Sequence, residues 1–170
     1  VCPTSVLSVW YQEIKKWAPS MTVLVWHGPE RGEHARLIKQ VDVVVTSYTI
    51  LRRDIDDLSK IRFRYGLLDE AQYIKNWNTG TAKSARKLKT DHRLALTGTP
   101  VENHIIDLWA IFDFLAPGFL GKLTEFQKNY VKPIEDGDVE ALDTLRTRVR
   151  PFIMRRRKED VASELPPKTE

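Results

Sequence analysis

Four short apolar runs, each followed by a stretch with helical spacing, constrain this chain's fold more than any other feature. They lie at 22–26, 42–46, 65–68 and 93–96 and are rich in Val and Leu. Strands that are apolar on both sides, alternating with helices, predict an α/β fold: a parallel sheet with helices flanking it. The first helix is expected over 5–17, with Val6, Trp10, Ile14 and Trp17 on one face, Thr4 or Ser5 as its cap, and Pro19 as its stop. Further helices are expected at 31–39, 48–59 and 81–88. Beyond Pro100 the rhythm becomes helical only. Ile105, Leu108, Phe112 and Leu115 form a stripe capped by Asn103 and ended by Pro117-Gly118. Helices at 123–131, 139–149 and 153–163 follow, and Pro166-Pro167 reads as an exit. The expected organisation is an α/β unit at 1–100, a helical extension at 101–165, and the start of a linker at 166–170.

Composition narrows the class. At 170 residues and 42% hydrophobic, the chain can bury one sizeable core. Its one cysteine, Cys2, forms no internal disulfide and no cysteine-bound zinc site, and a reducing compartment suits it. No apolar run reaches the roughly 18 residues of a membrane span, so no membrane partner is expected. Val1-Cys2-Pro3-Thr4 resembles neither a start nor a signal peptide, as though the chain began within an element. The net charge of +4 is compatible with a polyanionic partner without requiring one. On charge alone, the run Arg155-Arg156-Arg157-Lys158 is a solvated helix face.

The chemistry concentrates in two places. Leu67-Leu68-Asp69-Glu70-Ala71-Gln72 is an apolar strand ending in two carboxylates. That puts both acids at the carboxyl edge of a parallel sheet, where open α/β folds bind ligands. Adjacent acids there suit separate tasks, one holding magnesium through water and the other orienting or deprotonating an attacking water. Taken alone, a strand ending in Asp-Glu is ordinary. The second feature, Arg93-Leu94-Ala95-Leu96-Thr97-Gly98-Thr99-Pro100, is another apolar strand running into a tight turn with two hydroxyls. At the same edge of the same sheet, the pair becomes specific.

Together these segments resemble the first RecA-like lobe of superfamily-two helicases, specifically the Swi/Snf-type DNA translocases. Cys2-Pro3-Thr4-Ser5 through Trp10 resembles motif Ia, and Val43-Val44-Val45-Thr46-Ser47-Tyr48 resembles motif Ib. Asp69-Glu70-Ala71-Gln72 resembles motif II, extended by Ile74-Lys75-Asn76, and Leu96 through Asn103 resembles motif III. Asp107-Leu108-Trp109 through Pro117-Gly118-Phe119-Leu120-Gly121 resembles prokaryotic members, and Pro151 through Lys158 resembles the helical block that closes the lobe. The resemblance implies ATP and Mg2+ as cofactors, with Asp69 serving magnesium, Glu70 activating water and Gln72 sensing the nucleotide. It implies Thr97, Gly98 and Thr99 as the coupling turn. Thr4, Ser5, Thr46 and Ser47 would contact the phosphates of double-stranded DNA, with Lys75 and Asn76 close by. Arg155 and Arg156 would brace a second RecA-like lobe or touch phosphate. A DNA-bound protein is a further implied partner. The implied location is cytoplasmic and nucleoid-associated in a prokaryote, the favoured source, or nuclear in a eukaryote.

One part of the family pattern is missing. No G-x-x-x-x-G-K-[ST] phosphate loop occurs; Gly80-Thr81-Ala82-Lys83-Ser84 follows no expected strand and has Ala before its Lys-Ser. The expectation is therefore that these residues alone neither grip nor hydrolyse ATP, and that the sheet carries an unpaired edge. An inactive DNA- or protein-binding module derived from such a lobe is the alternative; the retained Asp69-Glu70 argues against it. A dinucleotide-dependent dehydrogenase is excluded by the lack of G-x-G-x-x-G after any strand.

Overall fold

The structure is a computed structural model in which residues 1–98 and 105–155 are described. Contacts divide the chain into two compact units, Val1–Leu123 and Thr124–Glu170. In the first unit, a 3-10 turn at Thr4–Val6 leads into α1 (Leu7–Trp17), followed by β1 (Val23–Trp26) and β2 (Val43–Thr46). Then come α2 (Tyr48–Arg53), α3 (Ile55–Leu58), β3 (Arg62–Leu68), α4 (Gly80–Lys87), β4 (Lys89–Ala95) and α5 (Ile105–Leu115).

The strands are parallel, as the apolar runs require. β1 pairs with β2 so that Trp26 faces Thr46, and β3 pairs with β4 so that Leu68 faces Ala95. These two-stranded sheets are joined by the first two residues. The Cys2 amide donates to Thr46 O (3.0 Å), the Val1 nitrogen to Leu67 O (2.7 Å), and the Asp69 amide to Val1 O (2.8 Å). Val1-Cys2 thus acts as a short strand between β2 and β3, so all four carboxyl ends share one edge. Among the described residues no strand pairs with the far side of β4. Such a bare edge is a template for further pairing.

Packing explains the layers. α1 covers one side, with Val6, Trp10 and Ile14 against Val43 and Val45. On the other side Leu51, Leu68, Ala71, Ile74, Ala85 and Phe114 form the main core. Arg93 locks three elements: its guanidinium donates to Phe114 O (2.6 Å), Leu88 O (2.9 Å) and Thr90 Oγ1 (2.9 Å). These bonds satisfy carbonyls that the ends of α4 and α5 leave open.

Several local expectations are corrected. The 31–39 segment forms two 3-10 stretches, Pro29–His34 and Leu37–Lys39, because Gly32 and a left-handed Gly28 (φ 88°) disfavour an α-helix. The 48–59 helix breaks at Asp54, whose carboxylate is bound by Arg31 and Trp26. Thr4 and Ser5 make no capping bond, since the chain enters α1 through the 3-10 turn. Trp17 lies past the packed stripe and is 76% exposed. Ile153 is extended and Met154 and Arg155 are likewise outside any helix; the remainder of the expected 153–163 helix, from 156 on, and the Asn103 cap lie outside the described residues.

The second unit is helical. Following α6 (Leu123–Phe126), a π-helical turn at Gln127–Val131 leads into α7 (Lys132–Glu135), then α8 (Val139–Val149). The helix therefore runs on through Pro133, beyond its expected end at Val131. The wider π turn just before it relieves the clash that a proline ring makes with the carbonyl four residues back. Asp138 caps α8 by accepting from the Ala141 amide (3.0 Å).

Candidate functional site

The carboxyl edge assembles the site. Leu96 N donates to Leu68 O and Ala71 N donates to Leu96 O, both at 2.8 Å, which fixes the turn after β4 beside the turn after β3. Glu70 stands at the corner with φ 52° and ψ 55°, the one non-glycine residue with positive φ among those described. A left-handed non-glycine residue costs about 1–2 kcal/mol and persists only where its surroundings impose it. Here they do. The Tyr48 hydroxyl donates to Asp69 O (2.7 Å), the Tyr73 amide donates to Glu70 O (3.0 Å), and the Tyr48 and Tyr73 rings stack at 4.9 Å. Burial, with the nearby Asp69 carboxylate, pushes the Tyr48 phenol well up, so it remains a donor.

The side chains form a directional chain. Thr97 Oγ1 donates to Gln72 Oε1 (2.8 Å), and Gln72 Nε2 donates to Glu70 Oε2 (2.8 Å). The Gln72 amide thus links the turn after β4 to the Glu70 carboxylate. Asp69 is held separately: its Oδ2 accepts from Trp10 Nε1 (2.7 Å) and its Oδ1 from the Glu70 amide (3.0 Å). Each Asp69 oxygen takes a single N–H, leaving acceptor capacity on both. Paired carboxylate oxygens are the hard donors magnesium takes, commonly with its waters in place. No cluster of three or more His, Cys, Asp or Glu that could hold a metal occurs among the described residues. The acids thus fit as part of a ligand set that water and phosphate oxygens would complete.

The structure brings together Asp69, Glu70, Gln72 and Thr97, with the exposed Gly98 next in the chain. Thr99 and Arg156 lie outside the described residues, and Arg155 is exposed. Thr4 and Ser5 are exposed at the turn entering α1. Thr46 and Ser47 are buried and otherwise engaged: Thr46 Oγ1 donates to Trp26 O (2.9 Å), and Ser47 Oγ caps α2 by accepting from the Ile50 amide (3.3 Å). Lys75 is half-buried. Asn76 is exposed, and its Oδ1 accepts from the Asn78 amide (3.2 Å). Two supports were not singled out from sequence, Trp10 and Tyr48. The available signal was a polar-tipped aromatic in each motif, since buried indole and phenol groups usually find a partner.

Residues 1–170 match the SNF2-related domain family. The chain is 43% identical, over 99% of its length, to the TATA-binding protein-associated factor mot1 of Schizosaccharomyces pombe. It is 44% identical, over its whole length, to the putative ATP-dependent helicase/translocase YwqA of Bacillus subtilis. The solved SWI2/SNF2 ATPase core of Sulfolobus solfataricus in complex with dsDNA superposes with a TM-score of 0.87 at 42% identity, over 95% of this chain. The chain spans 9% and 19% of the two relatives and 34% of the solved core. No helix among the described residues is long and apolar enough to cross a membrane. With the family matched along its whole length and the RecA-like arrangement shared with a solved core, the chain belongs to the SNF2-related domain family.

Proposed function

We propose that this chain contributes the magnesium- and water-positioning side of an ATP-driven motor that moves along double-stranded DNA. The observation that carries the reading is the left-handed Glu70 corner, tied by Gln72 to Thr97 and set beside Asp69. Phosphoryl transfer depends mainly on positioning and charge stabilisation. Glu70 would accept a hydrogen bond from the attacking water and hold it in line. Asp69 would hold magnesium through water, and the bound ion would neutralise charge on the phosphate oxygens. Gln72 and Thr97 would pass displacement of the coupling turn to Glu70. The rest of the site, a phosphate-binding loop and a charge from a second RecA-like lobe, would come from outside these residues.

DNA would be held at the entry to α1, where Thr4 and Ser5 are exposed and a helix N-terminus favours phosphate, and Lys75 and Asn76 are further candidates for phosphate contact. Thr46 and Ser47 are buried, and the Thr46 hydroxyl already donates to Trp26 O, so their side chains are not assigned to phosphate. Such contacts read no sequence. A DNA-bound protein as the object moved is in keeping with the TATA-binding-protein association in one relative's name. The test is ATP turnover by the full-length protein with and without duplex DNA across a salt series. Stimulation by duplexes of unrelated sequence, falling steeply as salt rises, is expected. Turnover indifferent to DNA would refute the translocase reading.

A further inference from the structure

Trp10 lies on α1, six residues beyond Thr4, yet its indole N–H reaches a carboxylate 59 positions away, Asp69 Oδ2, at 2.7 Å. The body of the ring belongs to the small core that seats α1 on β1 and β2, beside Cys2, Leu7 and Val45. Its polar tip alone leaves that core, and it meets the acid proposed to serve magnesium. The other Asp69 oxygen is held by the next amide, so among the described residues only the Trp10 bond ties the carboxylate to a different element. A carboxylate fixed at one oxygen by its own backbone still turns about its side-chain torsions; a second donor from a packed helix removes that freedom.

We propose that Trp10 is a positioning residue for Asp69, orienting the carboxylate for a magnesium-bound nucleotide from the helix whose entry carries Thr4 and Ser5. This rests on the motor reading above. Partners that orient metal-binding side chains typically contribute 10–100-fold in metal affinity or activity. Loss of the N–H should therefore raise the magnesium concentration needed for half-maximal nucleotide binding by about tenfold. The site at Thr4 and Ser5 is unaltered by this change, so duplex affinity should stay within about twofold of wild type, small beside the 10–100-fold expected at the metal.

The test uses the full-length protein and measures equilibrium nucleotide binding against magnesium concentration, with duplex affinity measured alongside. One variant is Trp10→Phe. The second replaces Trp10 by benzothienylalanine, which keeps the fused ring and puts sulfur in place of the N–H. A raised magnesium requirement in both, with duplex affinity kept, supports the proposal. An unchanged requirement in the benzothienylalanine protein overturns it, even if Trp10→Phe is impaired, because the ring and not the hydrogen bond would then matter. Equal loss of magnesium and duplex affinity also overturns it, by showing a general loosening of α1. Wild-type protein that binds nucleotide without regard to magnesium refutes the motor reading itself, and the proposal with it.

Discussion

Glu70 offers a sharp stability test, because its backbone and its carboxylate can be separated. Glu70→Ala and Glu70→Gly both delete the carboxylate and its bond from Gln72, so they differ only in what the backbone tolerates. At φ 52° and ψ 55°, alanine bears the left-handed penalty of about 1–2 kcal/mol, and glycine bears none. Glycine loses more freedom on folding, worth about 0.4–1 kcal/mol in alanine's favour. The balance makes the Gly variant the more stable by about 0.5–1 kcal/mol. In an ordinary right-handed helical position the order would reverse, with glycine worse by about 1 kcal/mol. Urea unfolding of the two variants side by side reads this difference directly. An Ala variant more stable than the Gly variant would refute the left-handed corner and the imposed geometry argued from it.

Three further outcomes follow from the packing and the site. Asp54 is held below the usual carboxylate range, chiefly by the Arg31 guanidinium (2.8 Å to Oδ1) and also by the Trp26 indole. Its contribution is therefore complete above about pH 4 and is lost as pH falls through the depressed value. Asp54→Asn should cost about 1.5–3 kcal/mol at pH 7, with the gap to wild type closing in acid; a gap that persists unchanged at low pH would contradict this. A Cβ on Gly66 would lie 2.8 Å from Thr90 Cγ2 on the adjacent strand. Gly66→Ala should cost about 1–3 kcal/mol and be partly rescued by Thr90→Ser, and failure of that rescue in urea unfolding would count against the clash. Finally, the 170 residues on their own should show no DNA-stimulated ATP turnover, since no phosphate-loop pattern occurs in them; measurable turnover from the isolated chain would overturn that expectation.

The carboxyl ends of the strands were legible because three apolar runs stop where the sheet stops, at Trp26, Thr46 and Leu68, and the fourth, ending at Leu96, overshoots β4 by one residue. Two strand starts were not. β3 begins at Arg62 and β4 at Lys89, in stretches whose side chains are mostly exposed, so pairing between neighbours rather than apolar patterning makes them strands. The 3-10 segment from Pro29 to His34 shows local backbone chemistry overriding an apparent helical spacing. At the site, Asp69, Glu70, Gln72 and Thr97 could be named because motif order places them at one edge. The Trp10–Asp69 bond could not be read, because it joins residues that only the tertiary fold brings together. Nor could the occupation of the Thr46 hydroxyl by Trp26 O, a cross-strand contact that no local pattern announces.

In the proposed motor, Glu70 positions the water that attacks ATP. In the full-length protein, Glu70→Gln keeps the side chain's size and an oxygen for Gln72 while removing the charge. ATP should still bind while DNA-stimulated turnover falls by about 10²–10⁴-fold, the range of a positioned general base. Near-normal turnover in Glu70→Gln would contradict it.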